Sequence, residues 1–430
     1  MVRFAHLLGV FLNHNSHSLC RVRRPYVAAL LEVKMTSQNM RKINAIVSKL
    51  LDWYPKNARD LPWRHTNDPY ALAVAEIMLQ QTQVKTVLPY WERWMRELPT
   101  IQAAASASPD KIHKLWEGLG YYTRARNLQK AARQIVEKHD GKFPDNFDDV
   151  LTLPGIGRYT AGAVCSIAFN QPTPILDGNV IRVLTRIFGV AENPREKKTN
   201  AQLWQLAAKL VSHAKTPSSQ RKTFLKNFAA FAPLRERNSC SFLNQSLMEL
   251  GALICTPRQP QCPVCPVKKL CVAFRENRAA ELPNPGRRIT TTARRFIAFV
   301  IERNGKFLVR QRPAGIVNAH LWEFPNTEFN DANAKDAFKS IFGTSPPALE
   351  PLCTFKHSIT RYRIKLEAWR VSFGGASSAR PQNKSGRRGT PPSGKWLTPA
   401  KMDSLALTSA HRKILERLNS KITQPANGNG

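Results

Sequence analysis

At 430 residues, 42% of them hydrophobic, the chain has material for two or three domains with real cores, which removes fibrous and fully disordered classes. Lys and Arg number 65 against 30 Asp and Glu, a formal net charge of +35 that points to a polyanionic partner. Apolar stretches are broken by charge or proline short of the roughly 18 to 20 residues a bilayer crossing needs, so nucleic acid outranks membrane.

Residues 1–39 form a basic leader, in which Arg3, Arg21, Arg23, Arg24 and Lys34 stand against Glu32 alone. Such a leader reads as an organelle presequence or as a start placed upstream of the true one. The second is preferred, because Met35 and Met40 precede the first helical pattern, and the expected location is then the cytoplasm, on the nucleoid. Helical periodicity runs from Met40 to Phe169, resumes after Gly178 and continues through NQSLMELGALI, giving a helical domain over 40–275. Within it, the basic stretch 214–240 reads as an insertion or mobile loop. Residues 276–293, rich in Arg, Pro and Asn, read as a linker.

The pattern then changes. Two β-rich runs over 294–312 flank Asn304-Gly305, a strong hairpin signal, a short helix is placed at 332–342, and 361–373 alternates like a strand. A smaller α+β domain over 294–418 follows, with a Gly, Ser and Pro-rich mobile loop at 374–395 and a polar tail at 419–430.

Four of the eight cysteines, Cys255, Cys262, Cys265 and Cys271, are spaced C-x6-C-x2-C-x5-C. So tight a group reads as metal ligation rather than a disulfide framework, and four thiolates suit zinc or an iron–sulfur cluster. Zinc sites usually keep two close pairs, whereas here one pair is flanked by single cysteines, which favours 4Fe-4S. Cys20, Cys165, Cys240 and Cys353 share no such pattern and read as ordinary thiols.

Between two helical patterns, LPGIGRYTAG sets Gly155 and Gly157 in a tight turn. Glycine admits an anion close to the backbone, and the amides of the next helix point at it; the same turn also reads as a plain connection. Two carboxylates have contrasting surroundings. Glu76 lies in YALAVAEIMLQQ among apolar neighbours, where a lone carboxyl tends to hold its proton. Asp177 opens a helix in PILDGNVIRVL, where backbone N–H groups and the helix end favour the ion. A proton donor beside an anion is the pair needed to expel a base through an oxocarbenium-like sugar. Asp177 also reads as a plain N-cap, and Glu76 as a paired carboxylate of an amphipathic helix.

Together, the cysteine spacing, LPGIGRYTAG, AEIMLQQTQV and LDGNV resemble the helix-hairpin-helix DNA glycosylases with an iron–sulfur cluster, and most of all the adenine DNA glycosylases of the MutY family, over roughly residues 40–418. The resemblance implies a mainly α N-terminal helix-hairpin-helix glycosylase domain with a 4Fe-4S loop, followed by a smaller α+β Nudix-like domain. It implies base excision repair on double-stranded DNA by a monomer without a nucleotide cofactor. Glu76 would protonate adenine at N7 and later handle water, Asp177 would steady the sugar cation, and Tyr159 and Asn179 would assist. Strand-cutting relatives carry a Schiff-base lysine just after the second glycine and its basic neighbour. Here that place holds Tyr159, which implies a monofunctional enzyme.

By the same resemblance, Gln80, Gln81 and Thr82, with Leu119 and Tyr121 of GLGYY, would wedge the duplex. Arg59, Trp63 and Arg64 would form the edge of the adenine pocket, Glu249 would read the flipped base, and Gly155 and Gly157 would grip phosphate. Trp63 and Tyr121 also read as simple core aromatics. Arg258, Lys268 and Lys269 beside the cluster suit phosphate contacts. In the second domain, RRFIAFVIERNGKFLVRQRP and LWEFPN resemble the Nudix-like domain of this family, but NTEFNDANAKDAFKSIFG lacks the clustered glutamates of a hydrolase. That domain is therefore expected to bind a lesion rather than hydrolyse a nucleotide, which by the family resemblance implies 8-oxoguanine opposite adenine. Where the bacterial pattern has Phe-Ser-His, this chain has Ile359, Thr360 and Arg361 after His357 and Ser358, leaving the Thr360 hydroxyl as the lesion contact. The alternatives are a thymine or uracil mismatch glycosylase, which lacks a second domain, a non-catalytic DNA-binding protein, and a Nudix hydrolase fused to a DNA anchor.

Overall fold

A computed structural model describes residues 37–215, 239–284, 286, 290–329, 333–359, 361–372 and 394–422. The helical domain begins with α1 (Ser37–Asn57), so the last residues of the expected leader are helical. Its apolar positions Ile43, Ile46, Val47, Leu50, Leu51 and Tyr54 recur at helical spacing and are buried along one face. There follow α2 (Pro69–Leu79), α3 (Val84–Glu97), α4 (Ile101–Ser106), α5 (Pro109–Leu115), α6 (Thr123–Lys138), α7 (Phe147–Leu151), α8 (Arg158–Phe169), α9 (Gly178–Phe188), α10 (Lys197–Lys215), α11 (Ser239–Leu253) and the single turn α12 (Val272–Arg275).

These helices enclose two cores that share α2 and α8. Val74, Ala75, Ile77 and Met78 of α2 and Ala161 and Cys165 of α8 belong to the first core. Leu72 of α2 and Ala163 and Ile167 of α8 belong to the second. Both helices are apolar nearly all round because they are packed on all sides, which is the environment that isolates any carboxyl placed on them. At Gly162 of α8, an added Cβ would lie 2.2 Å from the Pro174 carbonyl oxygen, so the close approach of the chain preceding α9 requires glycine.

Among the described residues, the C-terminal domain is built on a seven-stranded sheet. Strands β1 (Thr292–Arg303) and β2 (Lys306–Gln311) form the expected hairpin, with φ of 51° at Asn304 and 69° at Gly305. Two consecutive positive φ values are what a type I′ turn demands. The sheet continues with β3 (Trp322–Glu323), β4 (Asn326–Glu328), β5 (Leu349–Ile359), β6 (Tyr362–Val371) and β7 (Lys395–Leu397), in the order β3-β2-β1-β6-β5, with β4 on β1 and β7 on β2. β1 and β6 are parallel; β5 and β6 are antiparallel. Along β1, Ile297, Phe299 and Ile301 face α13 (Ala334–Phe342), whereas Ala298 and Val300 face the core that holds Ile414 and Leu415 of α15 (Ser409–Ile422). A helix therefore covers each face of the sheet; the short α14 (Pro399–Asp403) precedes α15.

Several sequence boundaries move. The basic stretch expected as a loop over 214–240 has helical ends, because Ala214 and Cys240 are buried in the second core; 216–238 lies outside the described residues. The linker expected over 276–293 is partly ordered against the helical domain: Leu282 is buried and its carbonyl accepts a hydrogen bond from Arg186 Nε at 2.8 Å, and Thr292 already belongs to β1. The mobile loop expected over 374–395 ends in β7, where Lys395 pairs with Val309, and 373–393 lies outside the described residues. Strand β5 has no counterpart among the sequence expectations; its alternation is interrupted by a register shift between Pro351 and Cys353. Among the described residues, no helix is long and apolar enough to cross a membrane.

Candidate active site

Glu76 sits in the middle of α2, between the two cores, and is 6% exposed. Its Oε2 accepts a hydrogen bond from the Tyr159 hydroxyl at 2.7 Å, and Tyr159 stands in the first turn of α8. Burial pushes the Glu76 carboxyl up to about 7; the tyrosine bond and the Arg64 charge pull it down, and the Asp177 charge pushes it up. Burial and the two neighbouring carboxylates hold the Tyr159 phenol well above its usual range, so it remains a neutral donor. Asp177 caps α9: Oδ1 accepts from the Val180 amide at 2.7 Å and Oδ2 from Asn179 Nδ2 at 3.0 Å.

The expectation for Asp177 needs a correction. Its hydrogen bonds do favour the ion, but burial acts against them and the net shift is upward, so a capped helix end alone does not keep this carboxyl low. The Asp177 turn is braced by Arg182, which the sequence reading passed over. Its Nη2 donates to Asn179 Oδ1 and to the Gly251 carbonyl, both at 2.8 Å, and its Nε donates to the Cys255 carbonyl at 2.7 Å. An added Cβ at Gly251 would lie 2.7 Å from Asn179 Cβ, so α11 reaches the start of α9 only through glycine.

Glu249, fully buried on α11, is clamped by both arginines of the expected adenine-pocket edge. Oε1 accepts from the Arg59 amide (3.0 Å) and Nε (2.7 Å), and Oε2 from Arg59 Nη2 (3.0 Å) and Arg64 Nη2 (2.5 Å). Burial alone would raise this carboxyl, but these bonds outweigh it and bring it down to about 2. Glu249 is therefore an anion in a satisfied network. Trp63 matches the second of its two readings: it is buried in the first core, edge-on to Trp91 with ring centroids 5.9 Å apart. Leu119 is likewise in that core rather than at the surface.

The expected wedge residues meet at the C-terminal end of α2. Gln80 ends the helix, and its Nε2 donates to Thr160 Oγ1 at 3.3 Å. Gln81, at φ 58°, is exposed and Thr82 is half-buried. Tyr121 is 42% exposed at φ 49°, a backbone conformation that ordinary residues adopt at some strain. Arg124 joins the two segments. Its Nη1 donates to the carbonyls of Ile77 (2.8 Å), Met78 (3.0 Å) and Gln80 (2.7 Å), and its Nη2 to those of Leu119 (3.2 Å) and Gly120 (3.1 Å). It thus satisfies the open carbonyls at the end of the helix that carries Glu76.

Gly155, at φ 77°, makes the turn between α7 and α8; an added Cβ there would lie 2.5 Å from Asn127 Cβ. Gly157 is the N-cap of α8, and an added Cβ there meets nothing within 4 Å. Arg158 lies over the Trp204 ring at 3.8 Å.

Cys255, Cys262, Cys265 and Cys271 are free thiols lining a single cavity with Arg186. Among the described residues, no three such side chains converge closely enough to hold one metal ion. The donor set fits a cluster: burial first, and then neighbouring cysteine charges, push the Cys262, Cys265 and Cys271 thiols up, Cys265 to about 12, and a cationic centre is what would relieve them. Arg186, fully buried and missed in the sequence, donates to Cys255 Sγ at 3.3 Å and to the Thr256 carbonyl at 2.8 Å. Arg258 and Lys269 are exposed on the same loop, and Lys268 Nζ donates to the Pro263 carbonyl at 2.5 Å.

In the C-terminal domain, Lys356 pairs with Lys365 and Ser358 with Arg363 across β5 and β6, and all four are exposed on one face. Ile359 pairs with Tyr362, so the segment expected to read the lesion is the tip of this hairpin; Thr360 lies outside the described residues. The helix expected to lack clustered glutamates, α13, carries Asp336 as its acidic residue.

A family profile described as HhH-GPD superfamily base excision DNA repair protein matches residues 74–209, and one described as NUDIX domain matches residues 297–417. The adenine DNA glycosylase of Rattus norvegicus is 32% identical over 431 residues, covering 86% of this chain and 77% of that protein. The adenine DNA glycosylase of Homo sapiens is 31% identical, covering 88% of this chain and 74% of that protein. A solved structure of a thermostable thymine-DNA glycosylase is 29% identical, covers 56% of this chain and 100% of its own, and superposes with a TM-score of 0.46. With similarity of that extent across both domains, the chain belongs to the adenine DNA glycosylase family, enzymes of base excision repair.

Proposed function

We propose that the protein hydrolyses the N-glycosidic bond of adenine mispaired with 8-oxoguanine or guanine in duplex DNA, leaving an abasic site on an uncut strand. The observation that carries this reading is the Tyr159 hydroxyl on Glu76 at 2.7 Å, in a place where burial lifts the glutamate to about 7. Such a carboxyl is protonated in a large fraction of molecules at neutral pH and can still give its proton up. The flipped adenine takes that proton at N7 and leaves with the electron pair of the C1′–N9 bond. Asp177, as the carboxylate, steadies the sugar cation. Water then adds to C1′, and its proton goes to the Glu76 carboxylate, restoring the acid. Tyr159 holds Glu76 in place, and a phenol forms no imine with the opened sugar.

Other parts serve binding. The amides after Gly157 receive a phosphate, Tyr121 with Gln81 enters the duplex, and the basic face of β5 and β6 follows the opposite strand. Thr360 would contact the 8-oxoguanine. Cys255, Cys262, Cys265 and Cys271 would hold a 4Fe-4S cluster, which supplies bracing for the loop of Arg258 and Lys269 and takes no part in bond breaking. A single-turnover assay on adenine opposite 8-oxoguanine, adenine opposite guanine and thymine opposite guanine tests the assignment. Release of adenine, fastest opposite 8-oxoguanine and without a borohydride-trapped adduct, is expected; preferential release of thymine would overturn it.

A further inference from the structure

Tyr121 stands on a short loop that the C-terminal domain grips from both sides. On one side is Glu117, whose side chain is 14% exposed. Its Oε1 accepts from the Leu407 amide and from Arg412 Nε, both at 2.9 Å, and its Oε2 from Lys114 Nζ at 2.7 Å. Arg412 is itself fixed on the far side, with Nη1 on Asp403 at 2.8 Å and Nη2 on the Leu405 carbonyl at 2.7 Å. The Glu117 carbonyl accepts from the Tyr90 hydroxyl at 2.8 Å, so backbone and side chain are both held.

Little slack separates Glu117 from Tyr121. Gly118 (φ 105°) and Gly120 (φ 71°) take conformations that glycine favours, and Leu119 between them is buried. On the other side of Tyr121, Arg126 Nη1 donates to the Ala319 carbonyl of the C-terminal domain at 3.1 Å. Leu321 and Ala406, next to these contacts in the chain, belong to the first core of the helical domain. The junction is thus an apolar strip bordered by two arginine contacts, and Tyr121 projects from the loop between them.

We infer that the Glu117–Arg412 pair is a positioning device through which the C-terminal domain sets the pose of the Tyr121 wedge. This rests on the adenine-excision reading for its consequence, though not for its geometry. The domain facing the base opposite adenine is then joined to the residue that opens the duplex, and displacing it by a fraction of an ångström displaces the wedge. Small displacements of a positioning group can cost up to about a hundredfold in rate. Glu117 and Arg412 touch no reacting atom; they act through Tyr121.

The test is a cycle on the full-length protein with Arg412→Ala, Tyr121→Ala and the double variant, each first checked for an unchanged thermal melt, with Arg412→Lys as the conservative replacement. Two readouts are taken on duplexes with adenine opposite 8-oxoguanine: the single-turnover rate, and the fluorescence of 2-aminopurine placed beside the mispair, which reports unstacking without any chemistry. Arg412→Ala is expected to lower both, the rate by about tenfold, a size typical of coupled neighbours. Arg412→Lys is expected to lose less, and Arg412→Ala is expected to add less than about twofold once Tyr121 is alanine. Multiplicative effects in the double variant, or unchanged fluorescence with folded Arg412→Ala, overturn the proposal. Should Arg412→Ala not fold, Glu117→Gln enters the same cycle under the same criteria. If the parent protein released no adenine, the functional reading would fail, while the fluorescence cycle would still decide the coupling.

Discussion

At the scale of single residues, Glu76 is where the proposed function opposes stability. Its folded pKa of about 7 lies above its ordinary value of 4.5, so the folded state binds the extra proton between these limits and stability falls as pH rises through that window. Above it, the penalty is complete and amounts to roughly 3 kcal/mol at most. Glu76→Gln removes the charge and keeps an acceptor for Tyr159. The variant should therefore melt higher than the parent, by a margin wider at pH 8 than at pH 5; thermal melts at both values check this, and a margin independent of pH contradicts it. Tyr159→Phe deletes a bond that favours the Glu76 carboxylate, so the alkaline limb of the single-turnover rate profile should move to higher pH. Glu76 and Asp177 stood out in the sequence because each has a distinctive local setting, an apolar run for one and a helix-opening glycine for the other, and the family resemblance singled them out from the plainer readings. Arg124, Arg182 and Arg186 did not. In a chain this basic, an arginine is by default a surface charge, and each of these three reaches carbonyls on a segment distant in sequence.

At the scale of elements, the same contrast appears in how turns and strands are encoded. The β1–β2 hairpin was legible from Asn304-Gly305, since the turn chemistry is local. Strand β5 was not, because its pairing with β6 is a tertiary fact and its alternation is broken at Pro351. Trp63 was open to two readings for a related reason: a tryptophan beside a candidate pocket and one packed on Trp91 look alike in sequence. Arg124 provides a direct test of how the wedge segments are held. Arg124→Ala leaves the carbonyls of Ile77, Met78, Gln80, Leu119 and Gly120 without their shared donor. A loss of about 2 to 4 kcal/mol in denaturant unfolding is expected, with little recovery in Arg124→Lys, whose ammonium cannot span the fork. The cysteine loop offers another: Cys265→Ser should lower iron and sulfide content together and weaken DNA binding more than it slows excision by bound enzyme. Loss of excision at full binding would contradict a bracing role.

At the scale of the whole molecule, the helical domain places an acid between two cores and the C-terminal domain lies against the loop of Tyr121. The net charge of +35 makes phosphate contacts the dominant part of affinity. Binding to undamaged duplex should therefore weaken linearly on a log–log plot against salt, as a titration by anisotropy would record, while the rate of excision within the complex stays nearly constant. The domain order and the two fold classes were readable from periodicity, but their contact was not, since Glu117 and Arg412 carry no signal of one another. The central claim, that a buried Glu76 gives its proton to adenine, is tested most directly by the single-turnover release of adenine from an adenine–8-oxoguanine duplex across pH, for the parent and Glu76→Gln. Release that declines above about pH 7 in the parent and falls by at least about a hundredfold in the variant, with duplex binding retained, is the predicted result. A glutamine variant excising within tenfold of the parent would contradict the account.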